Sequence, residues 1–427
     1  MWKNLLSFLF LSLAVLLTHT ASVRASTMHT LYSFCSVPTF CQDGTNPSGP
    51  LLSDDSGGFY ATVYGNTANG AGGVVHFVKV SGAWEADVIY SFCANARCLE
   101  GGYPDSGVIK DAAGNLYGVT SGGSKAGTVF ELMPNASHTK WTLRLLHRFC
   151  TSANCTDGRG PTGLTYVGQS SGVPYDGISP LYGTADGGGI NEGGVAFSLM
   201  PNGARWRFKK LHDFGEPNVA GDGSFPRRMI ADPAGNLFAA TEDGGAKQWG
   251  AVVELKRNRS GKFKEKVIYN FCSQGCADGI FPSRAALTLD ANGNLFGTTA
   301  EAGANNSGTI FKLSPGKKQY SLTTLYSFCS QFECSDGFVP AAELTLDSNG
   351  NIIGTTAEGG DSQFSAGVVF TMNPGYHVLY TFCVGTPGCP DGQTSETRIF
   401  LDGQNNLFGM THDGGAHGVG VLFEISP

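Results

Sequence analysis

Residues 286–329 read ALTLDANGNLFGTTAEAGANNSGTIFKLSPGKKQYSLTTLYSFC. Ala286–Asp290 alternates apolar and polar residues, which predicts a short strand. Ala291–Gly293 supplies turn residues, and Asn294–Thr299 predicts a second strand. A Gly- and Asn-rich loop leads to a third strand at Gly308–Leu313. The chain turns at Pro315–Lys318, and Tyr320–Phe328 forms the fourth strand. The stretch therefore reads as one antiparallel sheet of four short strands.

The end of this stretch is not unique. Leu31-Tyr-Ser-Phe-Cys35 returns as Ile89–Cys93, Leu146–Cys150, Leu211–Gly215, Ile268–Cys272, Leu325–Cys329 and Leu379–Cys383. These seven copies lie about 57 residues apart. A four-stranded unit repeated in this way predicts a β-propeller, whose radial arrangement leaves only short, protected edges. The chain opens on a fourth strand (Met28–Phe34) and closes on a third (Gly418–Ile425). The last sheet then needs the first strand. The expected fold is an all-β, seven-bladed propeller with four antiparallel strands per blade, residues 26–427 forming one domain sealed by its two ends.

Working outward, Met1–Lys3 carry one positive charge, Leu5–Leu17 are apolar, and Val23-Arg24-Ala25 has the small-x-small form of a cleavage site. Residues 1–25 read as a signal peptide. The apolar run is too short for a comfortable span, and the chain stops at Pro427 with no further apolar run. The expectation is a secreted monomer, extracellular or periplasmic, without a membrane span. Apolar residues make up 41% of the 427, enough for a core, which excludes a disordered chain. Lys plus Arg number 28 against 35 Asp plus Glu, a net charge of −7, which argues against a nucleic-acid partner.

Twelve cysteines fall into close pairs: Cys35/Cys41, Cys93/Cys98, Cys150/Cys155, Cys272/Cys276, Cys329/Cys334 and Cys383/Cys389. In an oxidising compartment such pairs read as disulfides. Their spacing varies, and no histidine accompanies them regularly, which disfavours zinc. Copy four lacks both cysteines together, as pairing within one unit requires.

The unit L-Y-S-F-C, C-x-D-G-x-x-P, L-x-x-D-x-x-G-N-L-x-G-T-T-x-x-G-G and G-T-V-F-x-L resembles the tandem repeat called Gloeo/Verruco (GloVer), found in exported bacterial proteins. The likeness spans essentially the whole chain after residue 25. It implies no known catalytic residues.

Residues shared by every copy are expected to hold the fold, and those that break the pattern are candidates for function. Asp-Gly follows the second cysteine at Asp43, Asp157, Asp222, Asp278, Asp336 and Asp391, with Glu100 as a variant. The expected role is structural, accepting backbone N–H groups two residues on, with a ring of calcium sites as the alternative. No cofactor is otherwise expected. The Asp-x-x-Gly-Asn segments, such as Asp347–Asn351, lack the Glu of a calcium loop and read as turns. His147 and His212 replace the motif tyrosine and read as packing variation.

If the Leu-Thr-Leu-Asp strand is innermost, the disulfide loops share one end of the ring with acidic loops at Asp186, Asp243, Glu301, Glu358 and Asp413. That end is the expected binding face. Before the Pro of D-G-x-x-P stand Tyr103, Phe225 and Phe281, which suit stacking on a sugar or packing between blades. At the entrance to inner strands stand Arg228, Glu343 and Arg398, which suit ligand contact or a structural ion pair. Copy three carries an insertion at Gly168–Ser179, at the opposite end. No G-x-S-x-G elbow sits at a strand–helix turn and no phosphate loop precedes a helix. The leading reading is a binding module for a glycan, peptide or protein. The alternative is a polysaccharide hydrolase or lyase using channel-mouth carboxylates and arginines.

Overall fold

A computed structural model describes residues 27–426, apart from 37–39, 96, 124–125, 204, 216–221, 283–285 and 373. The proposed signal peptide lies outside the described residues. Seven antiparallel sheets follow one another, numbered here as blades 1 to 7. Blade 5, built from the stretch quoted above, contains Thr288–Leu289, Leu295–Thr299, Thr309–Ser314 and Ser321–Ser327. Blade 7 contains Phe400–Leu401, Leu407–Thr411 and Val421–Ser426, and its fourth strand is Thr27–Ser33. Met28 pairs with Ile425 and Tyr32 with Leu422, so the ring is sealed by its two ends.

The core sits between blades. Each of seven apolar clusters joins one pair of neighbours, as where Phe34 and Phe77 of blades 7 and 1 meet Phe408 and Met410. The motif phenylalanines Phe34, Phe92, Phe149, Phe214, Phe271, Phe328 and Phe382 are all fully buried. Each is worth about 1.5–3 kcal/mol of burial, and each donates its N–H to a glycine carbonyl of the same blade, as Phe328 does to Gly308.

One cross-strand pair shows why the repeat needs its second-strand glycine. Gly297 faces Phe311, and a Cβ on Gly297 would lie 2.6 Å from the Phe311 ring. In blade 4 the same pair is Ala239 and Val253, and in blade 1 it is Ala61 and Val75. Glycine opposite a large ring, or alanine opposite a small side chain, fills the same space. No helix among the described residues is long and apolar enough to cross a membrane.

Candidate functional site

All six expected disulfides are present, each inside one loop. Cys35 is bonded to Cys41, Cys93 to Cys98 and Cys150 to Cys155. In the later blades Cys272 is bonded to Cys276, Cys329 to Cys334 and Cys383 to Cys389. Both cysteines of every pair have positive φ, as in Cys329 (56°) and Cys334 (53°). Such backbone is costly for a residue with a Cβ, and the bridge holds it. The second cysteine also closes the turn into the Asp-Gly step. The carbonyls of Cys41, Cys98, Cys155, Cys276, Cys334 and Cys389 each accept the N–H of the glycine three residues on, as Cys155 does from Gly158 at 2.8 Å. Copy four places Gly215, with φ of 79°, where the first cysteine would stand. Glycine needs no bridge to stay there.

Under the loops lies a second lock. Oδ2 of Asp336 accepts the Tyr326 hydroxyl at 2.6 Å, the Ser330 N–H at 2.9 Å and the Ser330 hydroxyl at 3.0 Å. Asp43, Asp278 and Asp391 likewise accept the motif tyrosine: Tyr32, Tyr269 and Tyr380. The donors lie upstream, on the motif, rather than two residues downstream as expected. Burial and the carboxylate push the Tyr326 hydroxyl up to about 12. His147 and His212 are not mere packing variants. They face Asp157 at 3.3 Å and Asp222 at 3.4 Å, so histidine replaces tyrosine as the carboxylate's partner. Burial nonetheless pushes the His147 pKa down, against the pull of Asp157.

Disulfide loops and acidic loops share one end. Ile280 bridges Glu301, Phe338 bridges Glu358, and Gln393 bridges Asp413. The residue before Pro, or its equivalent, ties adjacent blades there. It has positive φ in every copy: Asn46, Tyr103, Gly160, Phe225, Phe281, Val339 and Thr394. Its N–H reaches back one blade, as from Tyr103 to the Ala71 carbonyl at 2.7 Å. Its side chain is thereby turned outward. Tyr103 is 37% exposed and pairs with Tyr64 across a blade boundary at 5.1 Å. Phe281 pairs in the same way with Trp249 at 5.4 Å, and Phe225 is 38% exposed. The packing role expected for Tyr103 and Phe281 is thus present, with part of each ring left accessible. The three aromatics nevertheless sit on separate blades and do not converge.

The charged candidates do converge. Glu343 of blade 6 binds Arg228 of blade 4 through one oxygen and Arg398 of blade 7 through the other, the latter at 3.1 Å. This triad crosses the central channel, and the Arg228 and Glu343 side chains are nearly buried. Above it, toward the disulfide end, lie cavities of about 180 and 410 Å³. Their walls carry Asp105, Asp186, Arg227, Glu242, Glu396 and His412. Arg227 donates from Nη2 to Glu242, while its buried Nε–H has no acceptor among the described residues. Asp105 is exposed on the wall of the channel cavities. The protein atoms crowded around it, with Asp186 nearby, nonetheless raise it to about 6 against the opposing pull of Ser121 and Arg227. Enclosure raises Asp186 as well.

Most of this layer escaped the sequence reading, which singled out the residue before Pro. The residue two positions on, after the Pro or its equivalent, reads Ser48, Asp105, Thr162, Arg227, Ala341 and Glu396. The residue after the second-strand Thr-Thr site reads Tyr64, Ser121, Asp186, Glu242, Ala300, Ala357 and His412. Both positions break the repeat, so the signal was present. Among the described residues, no group of three or more His, Cys, Asp or Glu is placed to hold a metal ion.

At the other end, a cavity of about 1090 Å³ lies beside the turn that holds Asp54 and the insertion of copy three. The insertion is welded down rather than loose: Tyr175 is 1% exposed and packs on Tyr117 and Tyr166.

A family model described as the Gloeobacter/Verrucomicrobia repeat matches residues 168–363 and 277–427. No curated protein matches the sequence. Similar solved structures include a candidate 6-phosphogluconolactonase from Bacteroides uniformis, 14% identical, with a TM-score of 0.48, covering 82% of this chain and 93% of that one. Another is a gluconolactonase from Xanthomonas campestris, 12% identical, with a TM-score of 0.42, covering 94% and 89%. A third is a luciferin-regenerating enzyme, 11% identical, with a TM-score of 0.41, covering 94% and 95%. At these scores the likenesses carry no argument about activity.

Proposed function

The chain belongs to the Gloeobacter/Verrucomicrobia repeat family, and from that premise we propose that it is an exported binding module with its site at the disulfide end of the channel. Six disulfides support a place outside the cytoplasm, and residues 1–25 fit an export signal. One observation carries the site. The Arg228–Glu343–Arg398 triad floors the channel, and the polar groups above it are those that break the repeat. A concave site with convergent polar groups on a rigid frame is what a specific ligand needs. The mixed acids, the unused Arg227 donor and the rim aromatics Tyr64 and Tyr103 suit a hydroxyl-rich or peptide ligand, a glycan first.

The test is a glycan and peptide array, followed by titration of the best ligand against variants. Arg227→Ala and Asp105→Asn are expected to weaken binding by ~1 kcal/mol or more. Unchanged affinity in both would remove the site from the mouth. A second reading, hydrolysis or elimination on a polysaccharide, is favoured by Asp105 alone, a carboxyl raised to about 6 and so able to carry a proton near neutral pH. Release of reducing ends by the native protein, abolished by Asp105→Asn, would establish it.

A further inference from the structure

The net charge of −7 conceals one sharp reversal. Residues 256–266 read KRNRSGKFKEK, six cations and one acid. With that surplus of five positive charges set aside, the rest of the chain sums to −12. The stretch is the hairpin between the third strand (Ala251–Arg257) and the fourth strand (Phe263–Asn270) of blade 4, at the insertion end of the ring. We propose that this hairpin is a docking surface for an acidic polysaccharide, separate from the channel mouth.

The six cations, Lys256, Arg257, Arg259, Lys262, Lys264 and Lys266, are all exposed. Among the described residues none of them forms an ion pair. At this end blade 4 also carries three acids, Glu265, Glu254 and Asp232. Glu254 is buried, and the Asn236 N–H and amide occupy Asp232. Cations still outnumber acids two to one. The strand register sharpens the point. Lys256 stands directly opposite Lys264, and like charges so placed oppose pairing. Blade 5 sets Ser314 against Ser321 there, blade 2 Met133 against Thr142, and blade 1 Val78 against Glu85. Blade 3 sets Met200 against Arg207, and blade 7 Ser426 against Thr27. Among the described pairs, blade 4 alone sets two cations face to face.

Lysine on an outer strand guards a sheet edge against pairing with another chain. That role does not explain this density. The fourth strand of blade 6, Tyr376–Thr381, does without any lysine or arginine, and guarding an edge does not call for Arg259 in a turn. The turn itself is set: Asn258 Oδ1 accepts the Ser260 N–H at 2.9 Å, the Ser260 hydroxyl at 2.7 Å and the Lys262 N–H at 3.0 Å. Cations on an ordered turn need little rearrangement to bind. Arginine and lysine donors spread over two strands and a turn suit the repeated carboxylate or sulfate groups of a polyanion. No large apolar side chain of residues 250–270 is exposed, so the hairpin has nothing to sink into a lipid surface. The six disulfides favour a place outside the cytoplasm, away from nucleic acid. An acidic polysaccharide fits both facts.

None of these cations lines a mouth cavity, so a failure here leaves the mouth reading intact. The experiment compares the native protein with the four-site variant Lys256→Ser/Lys264→Ser/Arg259→Gln/Lys262→Gln. Its two serines are the residues that blade 5 uses at the same register, and the variant is expected to melt no lower than the native protein. The probes are polygalacturonate, dextran sulfate, neutral dextran, and vesicles of phosphatidylglycerol with phosphatidylcholine, all at about 0.15 M salt. At least one acidic polymer is expected to bind the native protein, with affinity falling about tenfold in the variant and weakening with added salt. Neutral dextran is expected not to bind this surface. Binding of polygalacturonate alone assigns a carboxylate polymer, and of dextran sulfate alone a sulfated one. Binding of neither polymer, or equal affinity in the two proteins, overturns the proposal. Capture by the vesicles without either polymer also overturns it and assigns a lipid surface instead.

Discussion

The two ends of the ring solve the same problem by different means. At the disulfide end six of the seven copies repeat one geometry: two positive-φ cysteines, a bridge, and in most copies a carboxylate fastened to the motif tyrosine or histidine. The bridged loops differ by at most two residues in length, and diversity there is expressed chiefly in side chains, at Asp105, Arg227, Glu242 and Glu396. At the insertion end the turns are held without a covalent brace, by backbone hydrogen bonds and by aspartate side chains, as Asp290 holds the Asn292 and Asn294 N–H groups. That end tolerates a change in the backbone itself, and copy three uses the freedom. A covalently braced face varies its chemistry, whereas an unbraced face varies its shape.

The most direct way to break this contrast is to show that the insertion is ornamental. Tyr175 is buried between Tyr117 and Tyr166, and its hydroxyl donates to the Ser179 carbonyl at 2.7 Å. Tyr175→Ala is therefore expected to cost about 3–5 kcal/mol, read as a lower denaturant midpoint. Phe281→Ala at the braced end, where the ring is half-exposed and its partner Trp249 is 40% exposed, is expected to cost about 1 kcal/mol. Equal losses would mean that both ends are welded alike.

A smaller effect tests the aspartate turns. Burial alone would raise Asp54, but His76 and the Ser56 and Gly58 N–H groups outweigh it and hold the carboxyl at about 2. A depressed carboxyl stabilises the fold above its unfolded value of 3.8, and that contribution is lost as the pH falls toward 2. Asp54→Asn is expected to lose on the order of 2 kcal/mol at pH 7, with the difference shrinking below pH 4. A loss independent of pH would assign the effect to packing.

The repeat made the fold legible because its signals agreed. Buried phenylalanines, strand alternation and Gly/Asn turns pointed the same way seven times, and the permuted termini specified closure. The charged triad was legible too, since Arg228, Glu343 and Arg398 break a pattern at one position. What the sequence hid was depth. Asp105 and Arg227 stand two residues after Tyr103 and Phe225, which were singled out, yet only the backbone direction imposed at those positive-φ residues decides which neighbour faces the channel.

The braces themselves offer a finer test. Replacing Cys329 and Cys334 removes a bridge worth about 2 kcal/mol in the chain-entropy model. Copy four shows what chemistry the first position accepts without one: Gly215, at φ of 79°. Cys329→Gly/Cys334→Ser is thus expected to be more stable than Cys329→Ala/Cys334→Ser by about 1 kcal/mol. If alanine serves as well as glycine, the bridge is not what holds the left-handed backbone.

The smallest expected effect has the opposite sign to that of Asp54. Asp105 is raised by the protein atoms crowded around it from 3.8 to about 6. A raised carboxyl binds its proton more tightly in the folded state, so its contribution is fully present below 3.8 and fades as the pH climbs through 6. At pH 8 the ionised group sits among other acids and slightly opposes folding. Because the side chain reaches channel water, screening keeps the effect small. Asp105→Asn is expected to raise the melting temperature at pH 8 by about one degree, and to leave it unchanged near pH 4. Melting curves of the native protein, Asp54→Asn and Asp105→Asn across pH 3–8 would then show opposite slopes from the two ends of one ring. Parallel slopes would mean that the surroundings of Asp105 do not raise its carboxyl.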